Sequence, residues 1–93
     1  PAAAPSASGS RDVQTVLAAY GCTGCHAVDR KMVGPSFRDV ANRFGSETGG
    51  SERVARRIRE GGAGAWGSIP MPPHPAINDD ELRALVTWVF AQR

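Results

Sequence analysis

Apolar residues recur along this chain at intervals of three and four, the spacing that gathers them on one face of an α-helix. Val13, Val16, Leu17 and Tyr20 mark a first helix, stopped by Gly21. Phe37, Val40, Ala41 and Phe44 mark a second, short one, with Ser36 as its N-cap, Asp39 three residues on, and Gly45 at its end. Ser51 is placed to cap a third helix that carries Val54, Ala55 and Ile58 and ends at Gly61-Gly62. Asn78-Asp79-Asp80-Glu81 is an N-x-x-E capping signal, and the helix after it carries Leu82, Leu85, Val86, Val89 and Phe90 on one side. No segment forms a convincing strand and no internal repeat is present. The pattern predicts an all-α fold of about four helices. Two connections interrupt it: residues 27–35, and the long Gly/Pro-rich stretch GGAGAWGSIPMPPHPAIN between the third and fourth helices.

The first helix delivers Cys22-Thr23-Gly24-Cys25-His26, and C-x-x-C-H is the attachment signature of a c-type haem. The spacing lets one short turn present both thiols for thioether formation with the two vinyl groups of the porphyrin. The histidine is then carried beneath the ring, where its imidazole can bind iron. Three other uses of the cysteines fit less well. A thiol–disulfide oxidoreductase places C-x-x-C at a helix start after a strand, whereas a helical pattern precedes Cys22. A structural zinc site wants four ligands, usually as two pairs, and here one cysteine pair stands with His26 and a distant His74 among prolines. A plain Cys22–Cys25 disulfide is the ordinary alternative.

Ninety-three residues can build only a modest core, and a covalently held haem would serve as the staple so small a domain needs. At 41% hydrophobic the composition is ordinary, and no run approaches the roughly eighteen apolar residues of a membrane span. The formal charge of +2 would be largely offset by two propionates, and the ten arginines are dispersed among nine acids, which argues against a nucleic-acid partner. Residues 1–10 (PAAAPSASGS) read as a flexible tail or linker and residues 11–93 as the domain. The tail is either a frayed mature terminus or a tether to a membrane anchor or second domain. Covalent haem attachment takes place outside the bacterial cytoplasm, so the expected location is the periplasm, after removal of a signal peptide.

Met71 lies within the long connection, flanked by Pro70, Pro72 and Pro73. A thioether is a soft ligand, and His/Met ligation raises the potential of an electron-transfer haem. Flanking prolines restrict the backbone, so such a loop can hold a weak ligand at little entropic cost. Met32 is the competitor, but it follows Cys25 by seven residues in a loop that must still round the His26 side of the ring. Met71 is therefore the expected ligand, with gap-filling in the core as its ordinary alternative.

CTGCHAVDRKMVGPSFRDVANRF, RVARRIREGGAGAWGSIPMPP and DDELRALVTWVFAQ together resemble the small bacterial class I cytochromes c of the cytochrome c-551/c-552 type, over nearly all of residues 13–93. The resemblance implies four helices wrapped around one covalently attached haem c, with thioethers at Cys22 and Cys25 and axial ligands His26 and Met71. It implies that the Pro35 carbonyl accepts the free N–H of His26, and that Arg57 and Trp66 hydrogen-bond a propionate. Arg57 could instead belong to a solvated face with Arg53, Arg56 and Arg59, and Trp66 could be packing alone. One position departs from the family, which commonly has an asparagine bonding near the methionine sulfur three residues after it. Here that residue is His74, followed by Pro75, and it either donates the same bond or faces solvent.

The function this implies is single-electron transfer by a periplasmic carrier, without catalysis. Its partners would be a nitrite reductase, cytochrome oxidase or peroxidase downstream and a quinol-oxidising complex upstream. A monomer is expected, docking transiently through an apolar rim of Met32, Val33, Ile69, Pro70 and Pro72 with arginines outside it. The alternative is the electron-input haem domain of a larger redox enzyme, such as a fused nitrite reductase. A ligand-sensing or peroxidatic haem would need the methionine to leave readily.

Overall fold

The carboxy-terminal helix organises the molecule because its apolar stripe is the longest the chain offers. In the computed structural model, which describes residues 12–93, helix α4 spans Asp79–Phe90 and buries Leu82, Leu85, Val86 and Val89. Helices α1 (Val13–Ala19), α2 (Phe37–Phe44) and α3 (Gly50–Glu60) all pack against it. Asn78 caps α4, its side-chain oxygen accepting from the Glu81 N–H at 2.7 Å, and three acidic residues in the first turn complement the helix dipole. Ile77, just before the cap, is 1% exposed and shares the core with Leu82, the arrangement of a hydrophobic staple.

The other helices add short apolar faces to the same core. Val16 and Leu17 of α1, Phe37 of α2, and Val54 and Ile58 of α3 join Cys22 in one buried cluster. The Asp12 carboxylate caps α1 by accepting from the Thr15 N–H at 3.0 Å, a signal the apolar spacing alone does not carry. Ser36 caps α2 as expected, accepting from the Asp39 N–H at 3.0 Å. Among the described residues no strand forms; an isolated antiparallel bridge joins Gly62 to Met71.

The start of α3 corrects one expectation: its cap is Gly49, not Ser51. Gly49 adopts φ 77°, which a side chain disfavours, and this turns the chain into the start of α3. At Gly50 a Cβ would collide with the Phe44 carbonyl oxygen, so a glycine pair is needed for so tight a turn. Ser51 consequently falls inside the first turn, its hydroxyl 3.5 Å from Glu52 Oε1.

Candidate functional site

Gly21 ends α1 by adopting φ 70°, and the chain passes directly into a 3-10 turn over Cys22–Gly24. The Cys25 and His26 N–H groups both donate to the Cys22 carbonyl, at 3.2 and 3.0 Å, so both sulfurs and the imidazole are carried on one turn. The two cysteines are not joined to each other; Cys22 is buried and Cys25 half-buried. Burial pushes the Cys22 thiol up, its local backbone hydrogen bond acts in the opposite direction, and Cys25 adds to the rise. Among the described residues no three His, Cys, Asp or Glu side chains gather as a metal cluster.

His26 is held from three sides. Its Nδ1 lies 2.7 Å from the Pro35 carbonyl oxygen. A carbonyl can only accept, so the proton sits on Nδ1 and Nε2 keeps its lone pair for a metal. Phe37 stacks on the imidazole with ring centroids 5.4 Å apart and planes 24° from parallel. On the remaining side Gly34 approaches so closely that a Cβ there would stand 2.5 Å from His26 Cε1. The Gly34 N–H donates to the Cys25 carbonyl at 2.8 Å and the Phe37 N–H to the Ala27 carbonyl at 2.8 Å, tying the 27–35 loop around the ring.

Met71 comes from the far end of the chain by a different device. The Met71 N–H donates to the Gly62 carbonyl at 2.8 Å and the Gly62 N–H to the Met71 carbonyl at 3.0 Å, closing residues 62–71 into a loop. Gly61, at φ 74°, lets the end of α3 press against this segment, since a Cβ there would come 2.5 Å from the Met71 carbonyl oxygen. The Met71 side chain packs against the core, whereas Met32 is 40% exposed. His74 is not simply turned to solvent. It is half-buried, edge-on to the Tyr20 ring at 5.7 Å, and its N–H caps α3 by donating to the Ile58 and Arg59 carbonyls at 3.0 and 3.1 Å.

One cavity of about 570 Å³, within the ordinary range for a cofactor site, collects the predicted residues. Cys22, Cys25, His26, Pro35, Arg57, Trp66 and Met71 all line it. Four cations line it as well (Lys31, Arg43, Arg53 and Arg57) and no carboxylate does. The arginines of α3, alike in sequence, separate here by their partners. Arg53 pairs with Glu47 and Arg59 with Asp79, each at 2.8 Å, while Arg56 is exposed. Arg57 is half-buried at the cavity and makes no ion pair among the described residues. Trp66 packs edge-on to Phe44 at 6.4 Å and under the Arg43 guanidinium, a contact that sequence reasoning missed. Two thiols on one turn, an imidazole with a free Nε2, a thioether and a mouth lined by cations fit a haem with two carboxylates.

The family model for cytochrome c matches residues 10–91. Cytochrome c-551 of Pseudomonas aeruginosa is 44% identical over 84 residues, covering 90% of this chain and 80% of that protein. Cytochrome c-552 of Nitrosomonas europaea is 37% identical over 69 residues, covering 74% of this chain and 67% of that one. The crystal structure of Nitrosomonas europaea cytochrome c552 superimposes with a TM-score of 0.80 at 31% identity, over 86% of this chain and 99% of that one. With four helices and a cofactor cavity at the C-x-x-C-H turn, the chain belongs to the cytochrome c family, as a small electron-carrying member similar to the bacterial c-551 and c-552 proteins.

Proposed function

We propose that this protein is a periplasmic single-electron carrier whose haem c is bound through Cys22 and Cys25 and ligated by His26 and Met71. The observation that carries the reading is the Nδ1 hydrogen bond of His26 to Pro35, because it leaves Nε2 as a basic ligand in a cavity that Met71 also lines. Bound there, a haem would supply one iron able to take the ferrous and ferric states, and His26 and Met71 are the residues that would hold it. The residues around it keep the change of geometry small. Pro35 and Phe37 fix the imidazole, and the Gly62–Met71 bridge with Pro70 and Pro72 restricts the thioether. Arg57 and Trp66 are assigned to a propionate, supported by the place of both on the cavity wall and by the guanidinium of Arg57, which makes no ion pair among the described residues.

Electrons leave at the open side of the cavity. Met32, Val33 and Ile69 line it and are 40%, 53% and 67% exposed, forming an apolar rim with Lys31 beside them. A small dry patch of this kind suits a monomer that docks briefly. The partners proposed are a nitrite reductase, cytochrome oxidase or peroxidase as acceptor and a quinol-oxidising complex as donor. Among the described residues no helix is long and apolar enough to cross a membrane. The test is ligation: the ferric holoprotein should show a sulfur-to-iron charge-transfer band in the near infrared at neutral pH. Met71→Ala should abolish it, lower the reduction potential and admit exogenous ligands. A parent protein without the band, or a Met71→Ala variant that keeps it, removes Met71 from the ligand set.

A further inference from the structure

The 62–71 loop lacks the means to hold itself in place. Gly62, Gly64 and Gly67 take φ of 123°, 115° and 120°, a region in which other residues are strained, so the segment is rich in backbone freedom. Between its closing bridge at Gly62 and Met71 it has one internal backbone bond, Gly64 N–H to the Gly67 carbonyl at 2.9 Å. Among the described residues, a single hydrogen bond ties residues 63–70 to the body of the protein: Arg43 Nη1 donates to the Ala65 carbonyl at 2.8 Å.

Arg43 does more than donate that bond. Its Cζ lies 5.1 Å from the Phe44 ring centroid and 5.1 Å from that of Trp66, so the guanidinium bridges an aromatic ring of α2 and one of the loop. It makes no ion pair among the described residues, leaving its charge for the two ring faces. The anchor is rigid, since α2 is fixed in the core by Phe37 and Ala41. We infer that Arg43 is a positioning residue for the haem site: it clamps the 62–71 loop to the end of α2 and so holds Trp66 and Met71 at the cavity. The inference rests on the haem reading above. Arginine suits the task better than lysine, because a planar fork can stack and donate at once.

The test compares Arg43→Met and Arg43→Lys in the haem-loaded protein, with Arg56→Met as the control that removes the same charge from an exposed site. Amide hydrogen exchange reads the loop directly. Arg43→Met should speed exchange of the hydrogen-bonded amides of the loop, those of Gly62, Gly64 and Met71, by about tenfold to thirtyfold, the worth of one hydrogen bond and two exposed cation–π contacts. Arg43→Lys should fall between, and Arg56→Met should match the parent. The same order should appear in how readily the near-infrared band is lost on raising the pH, and in the reduction potential. Loop exchange in Arg43→Met at the parent rate overturns the clamp. Faster exchange with an unchanged band and potential overturns the positioning role. A parent that lacks the band altogether counts against Met71 ligation instead; the potential and the exchange of the Gly62, Gly64 and Met71 amides then decide the role of Arg43.

Discussion

Replacing Gly34 by alanine tests the haem-side geometry with one methyl group. The backbone at Gly34 is not in the left-handed region, so alanine introduces no strain of its own. Its N–H bond to Cys25 and its carbonyl bond from Met32 can both persist. The new Cβ, however, would lie 2.5 Å from His26 Cε1, 2.9 Å from Nδ1 and 3.0 Å from Nε2. Carbon atoms prefer to sit about 3.5 Å or more apart, so the imidazole must retreat by roughly 1 Å. Retreat is opposed by Phe37, stacked on the ring, and it stretches the 2.7 Å bond to Pro35. Overpacking of this kind costs about 1–3 kcal/mol and a weakened hydrogen bond about 1 kcal/mol, against a gain of about 0.5 kcal/mol from the stiffer unfolded chain. A net loss of about 2 kcal/mol corresponds to a fall in Tm of roughly 10 °C for a domain of this size. Gly24→Ala is the matched control, because a Cβ there meets nothing within 4 Å. Thermal unfolding of both holoproteins, followed by helix circular dichroism, measures the difference. The reasoning is wrong if Gly34→Ala melts with Gly24→Ala and keeps the parent reduction potential.

Arg57→Leu removes a cation from the cavity wall, and since reduction adds an electron, the potential should fall by on the order of tens of millivolts, with an altered pH dependence. Trp66→Phe should shift the potential less and leave the fold intact; titration of the potential against pH in both variants checks the assignment, and an unchanged profile returns the residue to packing. Val33→Glu or Ile69→Glu puts a carboxylate in the exposed rim, which should slow electron transfer to a nitrite reductase or oxidase strongly while the haem spectrum stays unaltered. Arg30→Gln or Arg38→Gln should do less, mainly at low ionic strength; stopped-flow transfer rates distinguish the two, and rim variants that react at the parent rate place the exchange surface elsewhere.

Local chemistry was legible in the sequence wherever neighbours along the chain do the work. The 3.6-residue spacing marked all four helices, Ser36 and Asn78 announced their caps, and C-x-x-C-H specified a turn whose two cysteines and histidine meet within five residues. Gly49 was missed because the cap of α3 depends on how closely Phe44 approaches Gly50, a contact between two helices. For His74 the sequence leaves two options open, because its real neighbour, Tyr20, is α1's C-terminal cap, far away in sequence. Four arginines on one helix look alike as letters; only the positions of Glu47, Asp79 and the cavity distinguish Arg57 from Arg53, Arg56 and Arg59. Arg43 carried no sequence signal at all, since its carbonyl and one of its two rings come from a loop more than twenty residues away. Helix periodicity and capping are read within one or two turns of chain, and those the sequence determined by itself. Which charges stay unpaired, which glycines admit a neighbour and what restrains a flexible loop depend on distances through space, and only the tertiary structure decided them.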